Sequence, residues 1–516
     1  MTPKEKIKEL LKSTETEFIA PVLTGEITIP AVCVGASGGN RPHILTNKEQ
    51  LKTLGYPTDG LPDNWKEVFL KKMAEMLEKY RSVKLFLKIC SKCGNCADKC
   101  HFFLGSGDPL NMPVARADLM RKVYKRYFTF SGMLGIKGLD SLLDTSELTE
   151  ELLALWYTYF YQCTECRRCS VFCPYGIDTA EITMAAREIL NSVGLAQKNA
   201  HVLVNNEITT GNNFRMSPAA FVNIIESIED DLRDETGIDI KIPIDIHGAE
   251  VLMVLPSADY FAPVNIESLH GYAKVFHQSG ISWTLSSYAA DGANFGLFVH
   301  NYDNMKLINS RIWKAARELK VKRVIAGECG HMWRVMSSYS NTMNGPFDWL
   351  SPKYPVPQHI CEFSEDLIKR GALKFDKTAN DHLTVTMHDS CQIARGSAFG
   401  GGKYGQFEIP RSLIRATCNR FVEMDENTIR EKTFCCGAGG GLLGDEQLPV
   451  KLRGATPRMQ AYTRVKKDHG ANFIASICAY CKVQFTHLLP EFGYTEEEVG
   501  GIHKLISDSI ILGAKR

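Results

Sequence analysis

The feature that most constrains this chain is a cysteine run that occurs twice. The first copy is Cys90-x2-Cys93-x2-Cys96-x3-Cys100, and the second is Cys163-x2-Cys166-x2-Cys169-x3-Cys173-Pro174. Three thiols spaced three apart can wrap one cube of four irons and four sulfides, and the fourth is left to reach a neighbouring cluster. Zinc is held differently, by two CxxC units paired across a longer loop. The doubled run therefore points to two cubane [4Fe–4S] clusters. Because the fourth cysteine crosses over in two-cluster folds, Cys90, Cys93, Cys96 and Cys173 are expected to hold one cube. Cys163, Cys166, Cys169 and Cys100 are expected to hold the other, close enough for rapid electron transfer. His101 stands where a proline usually follows the run, so the first half is expected to leave its cluster by a different path.

A second pattern lies towards the other end of the chain. Cys435 and Cys436 run straight into Gly437-Ala438-Gly439-Gly440-Gly441. Adjacent cysteines rarely close a disulfide on themselves, because the ring would strain the peptide. They can hold two irons of one cluster, and glycines without Cβ let backbone approach an inorganic core, so Gly437 and Gly439 are candidate cofactor contacts. Partners stand on either side: Cys391 in His388-Asp389-Ser390-Cys391, and Cys478 and Cys481 in Cys478-x2-Cys481. Of 17 cysteines, only Cys33, Cys329, Cys361 and Cys418 fall outside these three groups. An odd, large number so grouped argues for metal rather than a disulfide framework.

The remaining composition narrows the class. The chain has 516 residues, enough for two or three domains. With 60 Lys and Arg against 59 Asp and Glu, nothing supports a nucleic-acid partner. No apolar run reaches the roughly 18–20 residues of a membrane helix, and Met1–Leu11 lacks the apolar core of a signal peptide. The expected location is the cytoplasm. The sequence divides into a mixed α/β extension over 1–84, a two-cluster domain with an insert over 85–185, and a helical connector over 186–247. Two α/β segments follow, over 248–378 and 379–516. Glu26–Val34 reads as a strand, with Cys33 a buried thiol, and Trp65–Tyr80 as an amphipathic helix. The basic, aromatic stretch Arg121–Leu134 reads as a folded helical insert or as a docking surface for a redox partner. Leu152–Tyr161 is apolar but too short to span a bilayer.

The two α/β segments are an internal repeat. Strand-like Val251–Leu255 matches Leu383–Met387, and Ala258 falls on Cys391, Ala290-Asp291 on Cys435-Cys436, and Met332 on Cys481. Only Cys329 survives in the first copy, opposite Cys478, so one cluster is expected here rather than two. Cys329 is either a vestigial thiol or, with His331, a ligand, proton donor or substrate contact bordering that cluster. His388 is either a structural histidine or, with Asp389, a source of protons and hydrogen bonds for the site. Cys361 and Cys418 read as structural. Gly439–Gly444 fits G-x-G-x-x-G, but two cysteines precede it and no acid follows about 20 residues on, which argues against a dinucleotide site.

Two four-iron runs ahead of the Cys391, Cys435-Cys436-Gly437, Cys478-x2-Cys481 set resemble the CCG-domain family. The resemblance covers roughly residues 85–516 and includes the D-type subunit of heterodisulfide reductases and the DsrK subunit of the DsrMKJOP membrane complex associated with sulfite reduction. The emptied first repeat is closer to the latter. The resemblance implies an α+β multidomain fold: a helical two-cluster ferredoxin-like domain followed by two Rossmann-like α/β CCG repeats. It also implies a noncubane [4Fe–4S] cluster on Cys391, Cys435, Cys436, Cys478 and Cys481. The implied activity is that of a heterodisulfide reductase-like oxidoreductase. It would take electrons from a quinol through a membrane cytochrome b-type subunit and reduce a disulfide or trisulfide on a small DsrC-like protein. The chain would sit peripherally on the inner face of the membrane, held by partner subunits. Two alternatives are an iron–sulfur subunit of a glycolate, lactate or glycerol-3-phosphate oxidase system, and a pure electron-transfer subunit.

Overall fold

The computed structural model describes residues 48–513 except 58, 134–142, 293 and 400–403. The expected strand Glu26–Val34, with Cys33, lies outside the described residues, as does the end of the basic stretch at Leu134. The chain forms two compact units. The first comprises the described residues up to His201 together with Phe298–His300 and Phe434–Gln460; the second comprises Val202–Leu297, Asn301–Thr433 and the chain from Ala461.

Among its described residues the first unit is helical and contains no strand. Helix Trp65–Lys79 buries Trp65, Phe69, Met73, Met76 and Leu77 along one stripe. Helix Pro113–Phe128 starts with proline, whose fixed φ suits the first turn. Helix Glu150–Gln162 is capped by Thr149, whose hydroxyl accepts from the Leu152 amide. The apolar run Leu152–Tyr161 is buried on nearly all sides here, which makes it the central core helix. The basic stretch is only partly surface. Arg121 is buried, pairs with Asp118 and donates to the Leu87 carbonyl at 2.9 Å, whereas Phe130 and Met133 are exposed.

The second unit contains two parallel sheets. Strands β1 (Val251–Val254), β2 (Trp283–Thr284), β3 (Arg323–Ala326) and β4 (Gln358–His359) lie in the order β2-β1-β3-β4. Strands β5 (Val385–His388), β6 (Phe473–Ser476) and β7 (Val499–Gly500) lie in the order β5-β6-β7. Their residues are buried almost without exception, as expected of parallel strands covered by crossover helices. The repeat seen in the sequence recurs in the register. Val251 pairs with Arg323 and Val385 with Phe473, so each half sets its first and third segments side by side. The analogue of β2 is reduced to a bridge between Val385 and Phe421. Helices Gly330–Ser338 and Ala479–Leu488 follow β3 and β6 and are capped by Cys329 (φ −139°, ψ 115°) and Cys478 (φ −138°, ψ 117°). Among the described residues no helix is long and apolar enough to cross a membrane.

Candidate metal centres

Each ferredoxin-type run begins where a helix ends. Cys90 closes Arg81–Ile89 and Cys163 closes Glu150–Gln162, both extended, at ψ 112° and 119°. The backbone then repeats itself. Lys92 and Glu165 both adopt positive φ, and so do Gly94 and Arg167. A left-handed non-glycine residue costs roughly 1–2 kcal/mol and persists where the surroundings over-determine it. Such turns form a concavity of amide N–H groups suited to an anionic iron–sulfur core.

The thiols fall into two sets. Cys90, Cys93, Cys96 and Cys173 line one cavity with Cys169, Pro113, Val114 and Ile177, and Cys93 is exposed. Burial, with the neighbouring Cys90 and Cys173 sulfurs, pushes the Cys96 thiol up to about 12. Cys100 is buried beside Cys166 and Cys163. Cys169, also buried, lies by Cys166, Cys96, Cys163 and Cys100. Cys173 thus sits with the first run and Cys100 with the second. Buried thiols this crowded resist ionising together unless cations replace their protons, which is the donor set that a cluster needs.

Two arginines that the sequence reading did not single out serve this region. Arg116 is buried near Cys163, Cys100 and Cys169. Burial opposes its charge, but those sulfurs outweigh it and hold its pKa up. Its Nε donates to the Tyr159 carbonyl at 2.7 Å and its Nη2 to the Asn111 carbonyl at 3.1 Å. Arg187 is buried on Glu165 at 3.1 Å and donates to the carbonyls of Cys163 at 2.7 Å and Gly440 at 2.6 Å. The only hint in sequence is a charge on an otherwise apolar helical face, which does not by itself distinguish a core arginine from a surface one.

The Cys435–Gly441 loop belongs to the first unit, and Cys435 and Cys436 are buried. Its glycines have specific neighbours. A Cβ on Gly440 would fall 2.8 Å from the Cys163 carbonyl oxygen and 2.9 Å from Thr164 Cα, at φ +71°. One on Gly439 would fall 3.3 Å from Thr164 Cβ and 3.6 Å from Cys435 Sγ, and one on Gly437 2.4 Å from the Lys451 carbonyl oxygen. Gly440 is therefore glycine so that this loop can pack on the second cysteine run, and Gly437 so that it can pack on the helix Leu448–His469. The Gly439–Gly444 motif follows no strand directly.

Cys391, Cys478 and Cys481 lie in the second unit, all buried. Cys391 opens the helix Cys391–Gly396 just after β5. The loop before it is locked by Asp389, which takes two hydrogen bonds from Arg411 (2.8 and 2.9 Å) and one from the Arg430 amide at 2.7 Å. Arg411 also pairs with Glu423 at 2.6 Å. His388, on β5, turns its ring edge-on to Phe485. At Cys478 the repeat brings in its counterpart. Hydrogen bonds from Cys329 first, then from Cys481, draw the Cys478 thiol well below its usual pKa, and the Cys329 thiol is raised. His331 Nδ1 lies 4.0 Å from Cys478 Sγ. Behind these cysteines Glu328 and Lys482 form a fully buried ion pair at 3.0 Å, and His503 Nδ1 meets Glu328 at 2.7 Å. Burial favours the neutral carboxyl, yet Lys482 and His503 outweigh it and hold Glu328 at about 2. Cys361 is buried against Glu328 and His503, and Cys418 against Thr417.

Comparison with known proteins fits this geometry. Residues 86–177 match the family model "4Fe-4S dicluster domain" and residues 385–486 match "Cysteine-rich domain". An "Hdr-like menaquinol oxidoreductase iron-sulfur subunit 2" of Archaeoglobus fulgidus is 42% identical over 484 residues, covering 88% of this chain and 85% of the relative. The corresponding subunit of Archaeoglobus profundus is 40% identical with the same coverage. This chain belongs to the Hdr-like iron–sulfur subunit family. The D-type subunit of the dihydromethanophenazine:CoB–CoM heterodisulfide reductase of Methanosarcina acetivorans is a more distant relative, 26% identical over 77% of this chain and 87% of its own length. As an Hdr-like subunit the chain is an oxidoreductase with iron–sulfur domains at both matched segments.

Proposed function

We propose that this chain is the catalytic iron–sulfur subunit of a membrane-associated complex that reduces a disulfide or trisulfide with electrons from a quinol. On this reading Cys90, Cys93, Cys96 and Cys173 hold one cubane and Cys163, Cys166, Cys169 and Cys100 the other. Cys391, Cys435, Cys436, Cys478 and Cys481 hold a noncubane four-iron cluster in the last of two Rossmann-like repeats, 248–378 and 379–516. Bound there, these groups supply one-electron carriers in series and a site that accepts a substrate thiolate.

The chain's own residues define where the chemistry takes place. Reducing one S–S bond takes two electrons and two protons and releases two thiols. Cys478 stands against Cys329 and Cys481, with His331 Nδ1 4.0 Å from its sulfur. Asp389 and Arg411 fix the approach of Cys391. Glu328, Lys482 and His503 fill the space behind Cys329 and Cys481 with paired charge. The carrying observation is the gathering of Cys329, His331, Cys478 and Cys481 where the buried N-termini of Gly330–Ser338 and Ala479–Leu488 meet, an environment that favours thiolate. The names of the relatives, a menaquinol oxidoreductase and a heterodisulfide reductase, support both ends of the electron path. The partners are a membrane cytochrome b-type subunit on the inner face and a small dithiol protein of the DsrC kind.

The test is an electron paramagnetic resonance titration of the oxidised protein with iron quantification. About twelve irons and a signal that shifts on adding a thiol or partner disulfide are expected. About eight irons and no such signal would leave an electron-transfer subunit alone.

A further inference from the structure

We propose that His101 is a clamp that fixes the second cysteine run against the Cys435–Cys436 loop and so sets how fast electrons pass between them. The inference rests on the cluster assignment above and concerns residues of the first unit only. His101 occupies the place of the proline that usually follows such a run, and it is 2% exposed. Its Nδ1 lies 2.6 Å from the Gly454 carbonyl oxygen, which can only accept, so Nδ1 carries the proton. Its Nε2 lies 2.8 Å from Thr164 Oγ1. The two partners belong to the two sides to be joined. Thr164 lies between Cys163 and Cys166 and supports Gly439 and Gly440 from below. Gly454 packs on the other end of the same loop, where its Cβ would fall 3.0 Å from the Gly437 carbonyl oxygen. The ring itself lies within the field of both Cys166 and Cys435.

Proline cannot make this clamp, having neither a donor nor a ring nitrogen. The second run keeps its proline: Pro174 lines the cavity of the half-exposed first set. The asymmetry separates a run whose exit faces outwards from one whose exit is tied to the Cys435–Cys436 loop. The step is the transfer of one electron from the reduced cubane of the Cys163 set to the cluster that includes Cys435. No bond forms or breaks at His101. A clamp acts on this step through distance, because electron transfer between clusters slows steeply as the gap between them widens.

The experiment compares wild type, His101→Phe and His101→Gln in the full chain. Each is reduced rapidly with dithionite and freeze-quenched, and the appearance of reduced signals is followed by electron paramagnetic resonance. Iron content is measured on the same samples. Glutamine can still donate to Gly454 and accept from Thr164, so it serves as the rescue variant. The expected result is unchanged iron content, electron arrival slowed several-fold in His101→Phe, and recovery towards wild type in His101→Gln. A weaker magnetic interaction between the two clusters in His101→Phe is also expected. Wild-type transfer in a fully loaded His101→Phe would overturn the clamp, and so would equal slowing in both variants. If His101→Phe loads poorly, His101→Gln against His101→Asn, which is too short to reach both partners, decides the matter. A wild-type protein with no third signal would instead overturn the cluster assignment, so the two failures are distinguishable.

Discussion

In the two α/β halves of the second unit, β1 with β3 and β5 with β6 pair in the same register, and Cys329 and Cys478 cap equivalent helices with nearly the same φ and ψ. The halves differ in what fills the ends of their strands. In the second, Cys391, Cys478 and Cys481 stand there as buried thiols. In the first, Asp291, the sequence counterpart of Cys436, takes hydrogen bonds on its carboxylate from the Ser257 amide and hydroxyl and the Asn213 amide. The second half ends in buried thiols, whereas the first is closed by its own hydrogen bonds. The two are tied by unlike residues at like positions: Glu328, whose counterpart is Ile477, pairs with Lys482, whose counterpart is Trp333. Like-paired strands thus end either in buried thiols or in a polar plug, and the buried Glu328–Lys482 pair is among the contacts that join the halves.

The largest effect should come from Cys436→Ala. It should remove the third cluster and lower the iron content from about twelve to about eight per chain, read by iron analysis. Retention of about twelve irons would break the contrast between the halves. Next is Lys482→Met, which strands the Glu328 carboxylate. A loss of about 3–5 kcal/mol is expected in urea unfolding, with part recovered in the double variant Glu328→Gln/Lys482→Met.

A pH effect follows at the plug. Burial raises the Asp291 carboxyl to about 6. The folded state therefore keeps its proton between the ordinary carboxylate range and about pH 6, while the unfolded state has lost it. The Asp291 contribution is most favourable below about pH 4 and falls by about 3 kcal/mol as pH rises to about 6. Asp291→Asn should flatten that part of the stability profile, and an unchanged slope would show that Asp291 is ionised within its hydrogen bonds. The smallest effect is expected for Met332→Cys, which restores one thiol opposite Cys481. With Ala258, Ala290 and Asp291 still in place, the iron content should stay the same; a gain would mean that the first half is closer to a binding site than its plug implies.

Much of this arrangement is legible in the sequence because it is local. The helix Trp65–Lys79, the strands beginning at Val251 and Val385 and the grouping of the cysteines follow from spacing within a few residues. The internal repeat is also legible, since Val251 and Val385 start strands that pair identically. Other features are not. Arg121 belongs to a stretch read as a folded helical insert or a docking surface, and its burial on Asp118 is not written in that stretch: a guanidinium with a carboxylate and a carbonyl partner can be taken into a core. Arg116, Arg187 and the Glu328–Lys482 pair have partners tens or hundreds of residues away, and no periodicity reports them.

By itself the sequence determined that eight cysteines fall in two like-spaced runs, because spacing within a few residues is a property of the chain alone. It also determined that one half of the repeat had lost its thiols. Only the tertiary structure decided that Cys435 and Cys436 pack with the helical unit. Gly440, lacking a Cβ, lets the Cys163 and Thr164 backbone come close, and Arg187 and His101 supply donors to backbone carbonyls at Gly440 and Gly454. Only the tertiary structure decided, too, that Cys329 meets Cys478. Such contacts depend on shape and on buried charges finding partners across the fold, and neither is written in the spacing of neighbours along the chain.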